Sequence, residues 1–166
     1  GIHATGDIHG GCPVYFQAVC STNFAAAMYN NGSGGALIDF DTLFEHKGGC
    51  FDIGTSLFTA PIDGLYRFGY SMRSRTDSTQ HMWTYIQKNG SPLNGTMNTP
   101  GRVYIDHGEY AMVHNNFILE LRAGDTIGIL LAKSSASAGE ISNSYNSFHG
   151  HYMGRVDTLR DISYQQ

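Results

Sequence analysis

Charge is what this sequence has least of: Asp, Glu, Lys and Arg make up 14% of it, against about a quarter in an ordinary globular domain. Ten basic residues stand against fourteen acidic ones, a net charge of −4, so no basic field exists to draw in a nucleic acid or an anionic membrane surface. No apolar run reaches the roughly 18 residues of a membrane-spanning helix, and no insertion into a membrane is expected. Sustained helical periodicity is missing too. The one helix-like window, Asn23–Met28, is too short to stand without packing, and a loop or strand is the better reading. There is no Gly-X-Y period and no heptad, hence no collagen stalk or coiled coil within these residues.

Catalytic signatures are equally scarce. No nucleophile elbow, phosphate-binding loop, zinc-protease helix or Cys-x-x-Cys pair occurs, and no spacing links the serines, histidines and aspartates into a triad. The expectation is a protein that is not an enzyme and requires no cofactor. Cysteine is limited to Cys12, Cys20 and Cys50; two of them could pair and leave the third free or bridging to another chain.

What the chain does have is glycine and aromatic residues: 21 Gly, 10 Tyr and 9 Phe in 166 residues. That mixture favours short strands joined by tight turns. Period-two alternation places Val14, Phe16, Ala18 and Cys20 on one strand face, and Tyr66, Phe68, Tyr70 and Met72 on another. Met82, Thr84 and Ile86 alternate with Trp83, Tyr85 and Gln87, and Asn89-Gly90 closes that strand. Phe117, Leu119 and Leu121 lead through the Gly124-Asp125 turn to Ile127, Ile129 and Leu131. A last strand carries Phe148, Gly150 and Tyr152, and the Ser/Ala/Asn-rich stretch from Ser134 to Ser147 reads as a loop whose composition cannot drive burial. Some eight to ten strands at this spacing predict an all-β sandwich of two antiparallel sheets, with a jelly roll the natural candidate.

Residues 1–12 read as a flexible N-terminal leader, 13–156 as one globular domain and 157–166 as a C-terminal tail. The start at Gly1, with no methionine and no hydrophobic leader, suggests a processed mature form or a trimmed one. Asn31, Asn89 and Asn94 each begin an N-x-Ser/Thr sequon, which supports secretion. Each is also an Asn-Gly pair that simply closes a hairpin, and Pro92 weakens Asn89 as a glycan acceptor.

The segment from Phe40 to Tyr70 carries a resemblance. Phe40, His46, Phe51, Phe58, Gly64, Tyr66, Phe68 and Tyr70 stand at the spacings of the complement C1q globular-head signature, which has Asn or Asp where this chain has His46. Phe16-Gln17-Ala18, Leu121 with Gly124-Asp125, and Ser147-Phe148-His149-Gly150 resemble further pieces of the same family, over about residues 14–156. The resemblance implies the jelly roll shared with tumour necrosis factor, a compact homotrimer, and a head-only secreted protein of the invertebrate type. Such proteins are lectin-like pattern-recognition molecules of innate immunity that bind carbohydrate, sialic acid for example, or microbial surfaces. The motif residues, with Phe148 and Gly150, are structural ones: they specify a fold and not a ligand. Alternative readings are an ion-binding matrix or biomineral protein and a tumour-necrosis-factor-like signalling ligand.

Sugar recognition needs an aromatic face and polar donors, with Arg or hydroxyl groups for an acidic sugar. Three loop segments offer them: Arg73, Arg75 and Ser78; Arg102 and Tyr104; Asn143, Tyr145 and Asn146. Calcium is possible in the resembling family, and Asp106 with Glu109 is the local pair of oxygen donors for it. His149 and His151 share a strand face and could hold a transition metal with a third ligand from a neighbour. The leader histidines His3 and His9 could do so only loosely. Asp39 and Asp41 are expected on one strand face, and Trp83 in a core or subunit interface.

Overall fold

The computed structural model describes residues 13–30, 33–93, 101–106 and 108–156, with backbone alone for 27–30, 33–34 and 101–104. His3, His9, Cys12, Asn31, Asn94, His107 and the expected tail lie outside the described residues. No helix occurs among those described. The first strands are β1 (Tyr15–Val19), β2 (Phe24–Ala25), β3 (Ala27–Asn30), β4 (Ser33–Gly34) and β5 (Ala36–Leu37). Next come β6 (Thr42–Lys47), β7 (Phe51–Asp52), β8 (Leu57–Thr59), β9 (Gly64–Thr76) and β10 (Gln80–Lys88). The last are β11 (Ser91–Pro92), β12 (Gly101–Ile105), β13 (Tyr110–Leu121), β14 (Thr126–Lys133) and β15 (Gly139–Gly154). Eight of these reach five residues or more.

They form two sheets. The front sheet has six strands in the order β13-β9-β15-β1-β6, with β2 on β15; the back sheet has nine, built on β11-β10-β14-β3-β4. Pairing is antiparallel throughout except for β14 with β3. The first long strand and the last lie side by side, Phe16 opposite Gly150.

The expected inward faces are the observed ones. Phe16, Phe40, Phe58, Tyr66, Phe68 and Phe148 are fully buried between the sheets, with Met72, Met82, Ile127, Ile129 and Leu131. The rings interlock: Phe16 stacks on Phe51 at 4.6 Å and meets Phe148 edge-on at 4.9 Å, while Phe58 meets Phe68 edge-on at 5.1 Å. Such contacts add about 0.5–1.5 kcal/mol each beyond area burial. The signature aromatics are therefore the joint between two sheets. Two buried tyrosine hydroxyls are matched: that of Tyr70 bonds with the Thr84 hydroxyl at 2.6 Å from one sheet to the other, and that of Tyr66 donates to the Ile62 carbonyl at 2.7 Å. Gly64 has φ +152, and a Cβ there would stand 2.5 Å from the Gly154 carbonyl oxygen. His46, the departure from the signature, is exposed on edge strand β6 opposite Phe16, where no packing constrains it.

Asn89 and Gly90 take positive φ of 51° and 81°, the pattern of a type I′ hairpin turn. The Asn89 amide donates to Asp125 at 2.8 Å and accepts from the Thr126 N–H at 2.8 Å, so this sequon asparagine serves the turn. The Asn89 amide, the Arg122 N–H and the Lys88 ammonium hold the Asp125 carboxyl down at about 2. Asn23–Met28 contributes strand, as expected.

Two expectations are corrected, and two of the cysteines are placed. The Ser134–Ser147 stretch is not a loop throughout: β15 begins at Gly139 and pairs Ile141 with Ser74 of β9. Neighbouring backbone supplies the hydrogen bonds, and Ile141, Ser142 and Asn146 are buried, which composition does not reveal. Asp39 and Asp41 lie in the connection before β6 rather than on a strand; Asp39 accepts from Ser56, and Asp41 from Ser21 and Thr42. Cys20 and Cys50 are buried free thiols and do not pair with each other. Burial, reinforced by Asp41 and Asp39, pushes the Cys20 thiol up to about 12, so it stays protonated and unreactive.

Candidate functional site

Because β-strand side chains alternate, the front sheet has a second face, turned away from the core. Its residues fall into cross-strand rows. One row runs Ile118–Arg67–His151–Tyr15–Lys47. The next runs Asn116–Gly69–His149–Gln17–Glu45, and a third carries His114, Ser71 and Ser147. Beyond these β9 presents Arg73 opposite Met112, then Arg75 between Tyr110 and Glu140.

The chemistry gathers at Arg73. Its guanidinium carbon lies 4.4 Å from the ring centre of Tyr110 and 4.8 Å from that of Tyr145. Both rings are largely exposed, at 53% and 70%. Nη2 donates to the Ser142 hydroxyl at 2.9 Å, and Nε is buried with no hydrogen-bond partner. No carboxylate pairs with Arg73 among the described residues. Each cation–π contact at such a site contributes about 0.5–1 kcal/mol. The two together offset much of the roughly 2 kcal/mol of rotamer freedom that a free arginine side chain carries. The result is a cation already oriented by two aromatic rings.

The site depends on an irregularity in β15. Pairing with β9 breaks off after Ile141 and resumes at Asn146, and the residues between bulge outward. Tyr145 sits there with φ 60, a left-handed conformation that a bulky residue seldom adopts. Asn146 holds the base of the bulge. Its side chain is buried, accepts from the Cys20 N–H at 2.6 Å, and donates to the carbonyls of Cys20 and Ser142 at 3.2 and 2.9 Å. The Asn143 N–H donates to Asn23 at 2.9 Å, fixing the other flank.

The named candidates thus separate. Arg73 and Tyr145 come together, with Asn143 beside them and Asn146 beneath. Arg75 is one row away and forms a 3.8 Å ion pair with Asp77, both well exposed, an arrangement that contributes little. Ser78 lies in the turn after β9, its hydroxyl buried without a partner. Arg102 and Tyr104 belong to β12 on the back sheet, opposite Trp83 and His81; Trp83 is half-buried on β10 and donates to the Tyr85 hydroxyl. Tyr110 is the residue that sequence reasoning missed, because it reaches Arg73 only through the β9–β13 register.

Asp106 and Glu109 are exposed in the turn between β12 and β13, where the Glu109 N–H donates to the Asp106 carbonyl at 3.1 Å. Asp106 also accepts from Thr79 at 3.5 Å. No group of three or more His, Cys, Asp or Glu able to hold a metal occurs among the described residues. Calcium takes six to eight oxygens, which these two carboxylates alone do not supply. His149 and His151 do emerge on one face, next to Arg67 rather than a carboxylate.

Comparison with known proteins gives a consistent picture. The family described as the C1q domain matches residues 16–153. Among curated proteins, the mouse collagen alpha-1(X) chain is 28% identical over 118 residues, covering 70% of this chain and 16% of its own length. Mouse complement C1q tumor necrosis factor-related protein 3 is 26% identical over 122 residues, 74% of this chain and 44% of that protein. The chain thus spans less than half the length of either relative. Among solved structures, the globular domain of zebrafish complement 1qA superposes with TM-score 0.59 at 16% identity, over 86% of this chain and 99% of that one. The Eiger TNF of S. frugiperda gives 0.61 at 9% identity, over 88% and 94%. At those identities the likeness is one of fold, the jelly roll. No helix among the described residues is long and apolar enough to cross a membrane.

Proposed function

The chain belongs to the C1q domain family, and from that premise we propose that it is a secreted, non-enzymatic recognition protein: a homotrimer that binds carbohydrate on microbial or other surfaces. The observation that carries the ligand is the Arg73 guanidinium held against two exposed tyrosine rings, with no paired carboxylate among the described residues. A guanidinium takes a carboxylate through charge-assisted hydrogen bonds. A tyrosine face takes the apolar side of a sugar ring. An acidic sugar such as sialic acid combines the two. Self-association is supported by the far end of the same face, where Tyr15, Ile118 and Met153 leave large apolar surface exposed. That end is six residues along β9 from Arg73, or about 20 Å, so assembly and ligand occupy different ground.

A glycan array with and without a chelator tests the reading. Acidic glycans are expected to bind in both conditions, and Arg73→Gln to weaken them at least about tenfold, the scale of one charge-assisted hydrogen bond. Light scattering should give a mass near three times 18.1 kDa. Failure to bind any glycan, together with tight calcium uptake, would instead favour the ion-binding matrix protein.

A further inference from the structure

Arg73 and Arg75 stand two residues apart on the outward face of β9, about 7 Å along the strand, yet their surroundings differ. Arg73 is paired with no carboxylate among the described residues. Its guanidinium lies against Tyr110, whose place on β13 is opposite Arg75 and not opposite Arg73. The head of Arg73 therefore leans one row toward Arg75, and an acid bound to it is drawn the same way.

That next row runs Tyr110–Arg75–Glu140–Ala25, with Arg75 its only cation. Three carboxylates belong to it or border it. Asp77 faces the Arg75 guanidinium at 3.8 Å, and its own backbone N–H is anchored on the Ala138 carbonyl at 3.1 Å. Glu140 accepts from Asn23 Nδ2 at 3.1 Å, which fixes it beside Arg75 without pairing to it. Glu109, exposed, directly precedes Tyr110. Arg75, Asp77, Ala138 and Glu140 enclose a hollow of about 90 Å³, the share of about three water molecules. A carboxylate would fit there by size, but two of the four walls already carry one. The row is net negative, while the row of Arg73 is positive. Asp77 is four residues along the chain from Arg73, about 14 Å, beyond the screening length of about 8 Å at physiological salt. A single anionic group at Arg73 is therefore little affected by Asp77, whereas a second one a row farther on meets like charge at close range.

We infer that Asp77 and Glu140 are specificity-determining residues: they make the Arg73 site accept one negative charge and turn away glycans that carry a second on the adjoining sugar. The inference rests on the acidic-glycan reading above and refines it. Calorimetric titration of the full chain with sialyllactose, which ends in one acidic sugar, and with disialyllactose, which ends in two consecutive ones, tests it. The native protein is expected to bind sialyllactose at least about threefold more tightly, the scale of one like-charge contact near water. Asp77→Asn should remove that preference, improving disialyllactose about threefold or more and changing sialyllactose less than about twofold. Glu140→Gln, whose amide oxygen can still accept from Asn23, should shift the preference in the same direction. Glu45→Gln removes the same charge from an exposed place on β6 and should leave the preference unchanged. A native protein that binds disialyllactose as tightly as sialyllactose, or more so, overturns the inference. So does an Asp77→Asn variant that alters both ligands alike, or a Glu45→Gln variant that matches it. Binding of neither sugar overturns the acidic-glycan reading itself, and the charge filter with it.

Discussion

The two faces of the front sheet are built on the same strands and share the same register, yet they answer to different constraints. On the inner face Gly150 lies under the rings of Phe68 and Phe16, which come within 2.5 and 2.7 Å of where its Cβ would be. On the outer face, one residue along, Gly69 lies under His149 and Asn116 at similar distances. The geometry is the same, but the inner cover is apolar and locked by further rings, whereas the outer cover is two polar side chains. Packing density fixes the first arrangement. The second has no interlocking rings over it, which leaves the outer face freer to vary.

The largest test of this contrast is Phe148→Ala. Its ring contacts Phe16, Phe40, Phe51 and Phe68, and its loss should cost about 3–5 kcal/mol by urea denaturation. The paired glycines give the sharper comparison. Gly150→Ala should cost about 1–3 kcal/mol because aromatic rings must move, while Gly69→Ala should cost under about 1 kcal/mol because Asn116 and His149 can rotate away. Equal costs would show that the outer face is as constrained as the inner. The smallest effect on stability belongs to Tyr145→Gly. Glycine adopts the observed left-handed backbone without strain, so stability should hold within about 0.5 kcal/mol while acidic-glycan binding falls. A large loss of stability would instead make Tyr145 part of the scaffold.

The same division explains what could be read beforehand. Phe16, Tyr66, Phe68, Met72, Met82 and Ile129 announce themselves by alternation, because burial on one face and exposure on the other imprint period two. The signature aromatics were legible for that reason, and they identify the family without touching the ligand question. Arg73 and Tyr145 could be named as polar and aromatic groups in separate segments. Their meeting could not be read, since it depends on the bulge between Ile141 and Asn146 and on a buried amide bonding the backbone of Cys20. Tyr110 was missed because only the pairing of β13 with β9 brings it to Arg73. The run of β15 through a Ser- and Asn-rich stretch was hidden likewise, its order coming from a neighbouring strand.

The adjacency of β1 and β15 has a consequence for how the chain is made. β15 fills the place between β1 and β9, and it is the last of the described strands to leave the ribosome. Until it arrives, the nascent front sheet is a sheet with its middle missing, and both β1 and β9 present unpaired edges to whatever else is nearby. Folding therefore waits for synthesis of this domain to be nearly complete, and chains that stall before Gly139 are the ones that would cling to each other.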